Sequence, residues 1–123
     1  MMSSCTPAEP QYLVGVDSSI TFDRHSTNCI TYLNDSVYVR FTPSFSKEIV
    51  EKGYSHLGVL EKTHPNLLTE QAAEQKDWLN EDTLTFRIPL RNQEEEEAYK
   101  TEYYLNHDIR VDYAFIGCTA PLA

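Results

Sequence analysis

Basic residues are scarce in this chain: ten Lys and Arg stand against nineteen Asp and Glu, a formal charge of −9 over 123 residues. That deficit disfavours direct binding to nucleic acid or to an anionic membrane surface and favours basic protein partners. Glycine is equally sparse. Gly15, Gly53, Gly58 and Gly117 are isolated from one another, so no phosphate-cradling loop and no dinucleotide fingerprint is present. Three cysteines, Cys5, Cys29 and Cys118, are an odd number at irregular spacing, which fits free thiols rather than a disulfide framework. His25, His56, His64 and His107 form no HxxxH pair and have no CxxC neighbour, so no metal site and no cofactor is expected. No apolar run approaches the ~20 residues that span a bilayer, which predicts a cytoplasmic protein with no membrane association.

What is present fits one ordinary domain. Hydrophobic residues make up 41% and charged residues 24%, enough for a core despite the net charge. Residues 1–10, with two prolines and little to bury, read as a flexible leader; residues 11–123 read as a single acidic α+β domain, expected to be monomeric.

Along that domain Tyr12 to Val16 and Ile20 to Phe22 alternate as short strands. Cys29–Leu33 and Val37–Phe41 are rich in β-branched and aromatic residues, and the intervening Asn34-Asp35-Ser36 tolerates tight turns, so the pair reads as a β-hairpin. Val37, Val39 and Phe41 are assigned to the core face, Tyr38 and Arg40 to the other. Pro43 ends the sheet, and a short helix is expected over Lys47–Lys52, capped by Ser46 and stopped by Gly53. From Pro65 to about Asn80, Leu68, Ala72, Gln75 and Leu79 recur at helical spacing, with Trp78 beside that face. Thr83–Leu90 alternates strictly and is the clearest strand, with Pro89 placing its end at an edge or terminus. A helix from a capping-box-like Asn92-Gln93-Glu94-Glu95 to about Asn106 follows. The last strand, Ile109–Ile116, is expected to break at Gly117. The resulting fold class is α+β, a largely antiparallel sheet with two or three helices packed on one face.

No nucleophile stands in a catalytic signature, so an enzyme is not expected. The remaining signal is the placement of acids. If the helix after Pro65 runs far enough, Glu70, Glu74, Asp77 and Glu81 share one face spanning roughly 16 Å. A second cluster, Glu94-Glu95-Glu96-Glu97, exceeds what favourable contact with a helix start requires. Glu102, Asp108 and Asp112 continue the negative character. Duplex DNA carries one charge per roughly 1.7 Å of axis, and two acidic helices can array carboxylates in comparable rows.

On these features, together with the Tyr12-Leu-Val-Gly-Val-Asp17 to Tyr32-Leu-Asn-Asp35 region, the chain resembles the small bacterial DNA-mimic proteins, most nearly the monomeric type that binds the histone-like nucleoid protein HU. The resemblance implies a non-enzymatic protein whose carboxylates take the phosphate sites of an HU-like partner and compete with DNA. The alternative with the same electrostatics is an immunity or antitoxin protein that blocks a basic nuclease toxin. A third class, a small ligand-binding or enzymatic domain, is distinguished by an enclosed apolar pocket.

Overall fold

A computed structural model describes residues 11–20, 29–75, 78–80 and 85–121. In chain order the elements are β1 (Cys29–Phe41), α1 (Pro43–Lys52), a 3-10 helix (Tyr54–Lys62), α2 (Thr69–Gln75), β2 (Trp78–Asn80), β3 (Thr85–Pro89), α3 (Glu95–Leu105) and β4 (Val111–Pro121). The strands form one antiparallel sheet in the order β2-β3-β1-β4, an α+β arrangement.

The period-2 pattern of β1 sets the two faces. Val37, Val39 and Phe41 point inward and are opposed by Ile88 and Phe86 of β3 and by Ile116, Ala114 and Val111 of β4. Phe45 and Ile49 of α1, Leu57 and Leu60 of the 3-10 helix, Ala72 of α2, and Ala98 and Leu105 of α3 pack against that face in one core. Phe86 is its centre, fully buried with ring centroids 5.8 Å from Phe41 and 6.1 Å from Tyr54. The opposite face carries Tyr38, Arg40, Tyr113 and Phe115. There Tyr38 stacks on Phe115 at 5.2 Å, and Arg40 lies over the Tyr113 ring at 5.7 Å.

β1 is one long strand, not the expected hairpin. Residues on both sides of Asn34-Asp35-Ser36 pair with β4, Leu33 with Gly117 and Val37 with Ile116, so the three residues form a bulge instead of a reversal. Tertiary bonds hold the bulge open: the Asp35 carbonyl accepts from Leu90 N at 2.8 Å, and its carboxylate from Arg87 Nη2 at 3.3 Å.

β4 likewise runs through Gly117 where a break was expected. A Cβ built there would meet Tyr38 Cε2 at 3.0 Å and Leu33 Cδ1 at 3.3 Å. The glycine serves close approach between strands rather than a turn. Gly117→Ala is expected to cost about 1 kcal/mol, read from the urea midpoint at unchanged slope.

The starts of two helices also differ from expectation. Pro43 ends β1 but sits in the first turn of α1, whose N-cap is Thr42, its Oγ1 accepting from Phe45 N at 3.5 Å; Ser46 is inside the helix. Gly53 stops α1 as expected, with φ of 96° and its N–H donating to Ile49 O. α3 starts at Glu95 behind N-cap Glu94; Asn92 Oδ1 accepts from the Glu94 amide at 3.0 Å, one residue ahead of a capping box.

The helix expected over 65–80 is seven residues long, and the chain has become strand β2 by Trp78. Pro65 and Asn66 lie in a turn, and Leu67 forms a bridge to Leu90 that delays the helix until Thr69. The strands expected over 12–16 reduce to one bridge, Leu13 to Asp108; residues 21–22 lie outside the described residues. Strand β3 is Thr85–Pro89, with Pro89 at its terminus as expected, although β3 is an inner strand.

Candidate functional site

Two polar assemblies stand out: an acidic end where α2 and α3 begin, and a buried ion cluster where α3 hands over to β4.

At the acidic end, Asn66 joins two segments that are distant in sequence. Its Nδ2 donates to Asn92 O at 3.1 Å and to Thr101 Oγ1 at 3.0 Å, while its Oδ1 accepts from Asn92 N at 2.6 Å. The Glu61 carboxylate accepts from both the amide and the hydroxyl of Thr69 at 2.8 Å, which fixes the first residue of α2. The acids that follow are therefore carried on fastened helix starts. Glu94, Glu95 and Glu96 are exposed, Glu97 is half-buried, and Glu70 is exposed in the first turn of α2. Carboxylates at these positions interact favourably with the unpaired amides of a helix start.

The structure does not assemble the longer row. Glu74 is on α2, but Asp77 and Glu81 lie outside the described residues, and with β2 beginning at Trp78 one helix cannot carry all four.

Three other acids have structural roles. Asp112 is exposed and pairs with Arg40 at 3.4 Å on the open sheet face. Glu102 is half-buried and accepts from Ile116 N at 2.8 Å. Burial pushes the Glu102 carboxyl above its ordinary range, partly offset by that amide. Four residues on, Asn106 completes the same arrangement: Nδ2 donates to Ala114 O and Oδ1 accepts from Ala114 N, both at 2.9 Å. Side chains of α3 thus satisfy the backbone along the free edge of β4, where another strand would otherwise pair.

Asp108 is the clearest correction to the acids expected at a partner surface, because its side chain is 0% exposed. Oδ2 accepts from His64 Nε2 and from Arg110 Nη2, both at 2.7 Å; Oδ1 accepts from Arg110 N at 2.9 Å and Nε at 3.0 Å. Burial alone would raise its pKa, but the hydrogen bonds from His64 and Arg110 outweigh it and hold the carboxyl at about 2. Arg110 also donates to Thr63 Oγ1 at 3.1 Å and lies 3.5 Å over the Tyr12 ring. Neither His64 nor Arg110 stands in a motif that marks it in the sequence. The single signal was Asp108-Ile109-Arg110, two opposite charges flanking an apolar residue at a helix-to-strand junction.

Among the described residues no group of three His, Cys, Asp or Glu side chains is placed to hold a metal ion, and no helix is long and apolar enough to cross a membrane. Compared with protein-family models, curated proteins and solved structures, the chain gives no match.

Proposed function

We propose that this protein is a non-enzymatic binder of a basic DNA-binding protein, acting as a DNA mimic toward an HU-like partner. The observation that carries the reading is the consecutive exposed run Glu94, Glu95 and Glu96 at the start of α3, held by the Asn66–Asn92 clamp beside the start of α2. Carboxylates carried on a fastened helix start meet a basic groove without the cost of ordering the backbone at the moment of binding. Glu70 and Glu97 extend the patch. The shortening of the α2 row concentrates the contact on α3, and Glu102, Asp108 and Asp112 are engaged within the fold.

The test is competition with DNA for an HU-type protein, followed by fluorescence anisotropy. The wild type is expected to displace DNA at low salt and to lose that ability as the Debye length shrinks from about 10 Å at 0.1 M to about 3 Å at 1 M. Changing Glu94, Glu95 and Glu96 together to Gln is expected to slow association roughly tenfold at low salt while leaving the circular dichroism spectrum unchanged. A wild type that does not displace DNA overturns the mimic reading, and inhibition of a basic nuclease instead would favour the antitoxin alternative.

A further inference from the structure

The guanidinium of Arg110 is nine-tenths buried yet only partly used. Nε and Nη2 are taken by Asp108, and Nη2 also by Thr63. Nη1, with two N–H donors, has no partner among the described residues. It is also not an enclosed orphan, so it reaches solvent. In a planar guanidinium Nη1 lies on the edge opposite the one facing Asp108, and stacking on Tyr12 fixes the plane. A rigid, partly desolvated donor pair is thus held open.

Arg110 walls an open groove of about 620 Å³ along α1, within the size range of small-molecule sites. Ser44, Glu48 and Lys52, at i, i+4 and i+8, line it from one helix face. Ser44 is in the first turn of α1 and carries the one amide there left for an anion, since Pro43 has none and Phe45 N is capped by Thr42; Thr42 N donates to the Arg110 carbonyl, tying that helix start to the arginine. Tyr12, Phe45, Val59 and Ile109 supply the apolar part of the lining.

Charge selects the class of ligand. Asp108 offsets Arg110, Glu48 holds His56 at 3.2 Å, and Lys52 stands at the far end of the helix face. Two cations and two carboxylates leave the lining without net charge, which opposes a multiply charged ligand, while a single carboxylate is met locally by the open Arg110 donors. We propose that this groove binds a small apolar monocarboxylate, its carboxylate on Arg110 Nη1 at the start of α1 and its hydrocarbon body against Phe45, Val59 and Ile109. The site is separate from the acidic end and does not depend on the function proposed for it.

The test is a ¹H–¹⁵N NMR titration of the full chain with benzoate, with benzyl alcohol and inorganic phosphate as controls. Benzoate is expected to give saturable shifts at the Phe45, Val59 and Ile109 amides and at Arg110 Nε, and neither control is expected to do so. Removing Arg110 would strand buried Asp108 and unfold the chain, so the deciding variant is Ser44→Asp. An acid there suits the helix start and preserves folding, but its charge opposes an incoming carboxylate and is expected to weaken benzoate binding roughly tenfold. The proposal is overturned by an absence of saturable benzoate shifts, by equal binding of either control, or by undiminished binding to Ser44→Asp.

Discussion

Asp108→Ala is expected to lower the thermal midpoint by roughly 10–20 °C. The reason is what it leaves behind. Arg110 would lose its bonds to Asp108 from N, Nε and Nη2, keeping only Thr63 and Tyr12, and His64, 2% exposed, would lose its Nε2 partner. Stranding one side of a buried ion pair costs about 3–5 kcal/mol, against a total of about 5–15 kcal/mol for a domain. Circular dichroism melts of the wild type, Asp108→Ala and Asp108→Asn measure it. Asn keeps one acceptor and the shape, and is expected to lie between the other two.

The same cluster predicts an acid limb of stability. The folded-state pKa of Asp108, about 2, lies below the ordinary aspartate value of 3.8, so its contribution is fully present above pH 4 and is lost as pH falls toward 2. The size is on the order of 2 kcal/mol, visible as a falling urea midpoint between pH 4 and pH 2 that Asp108→Asn should largely lack. An Asn variant that retains the full acid limb would show that other carboxylates cause it.

The second large effect concerns the free edge of β4. Glu102→Ala with Asn106→Ala removes all three side-chain bonds to Ala114 and Ile116 and exposes a template for another strand. Amide exchange at residues 114 and 116 is expected to accelerate tenfold or more, on the order of one lost hydrogen bond each, and sedimentation should shift toward larger species with concentration. Glu102→Gln alone should behave differently, since its amide oxygen still accepts from Ile116. Because the folded Glu102 carboxyl titrates above its ordinary value, its ionised form opposes folding and stability rises as pH falls through that value. Gln removes the cost of burying the charge, so at neutral pH this variant should be as stable as the wild type or more so.

Sequence reading succeeded where one local pattern determined the outcome. Alternation placed Val37, Val39 and Phe41 on one face and Tyr38 and Arg40 on the other, and Gly53 ended a helix at the expected residue. It failed where partners distant in the chain decide. Asn34-Asp35-Ser36 has turn chemistry, but β4 is available to both flanks and Leu90 and Arg87 engage Asp35, so a bulge satisfies the same residues. The Leu67–Leu90 bridge, invisible in a helical-periodicity count, shortened α2. In the candidate site, acids at the start of α3 were legible because helix starts favour them. The fate of Asp108 was not, because exposure depends on His64, forty-four positions away, and on Tyr12 at the opposite end of the domain.

The placement of β1 between β3 and β4 also governs how the sheet can assemble during synthesis. Arg40 meets Thr85 and Phe41 meets Val111, so the central strand leaves the ribosome long before either neighbour exists. Local segments such as α1 and the 3-10 helix can form early, whereas closing the sheet requires two long loops to be drawn in, a topology associated with slow folding. During that interval the apolar stripe Val37, Val39 and Phe41 has no strand on either flank. A nascent chain stalled before residue 85 would therefore present it to chaperones, while the folded domain conceals it.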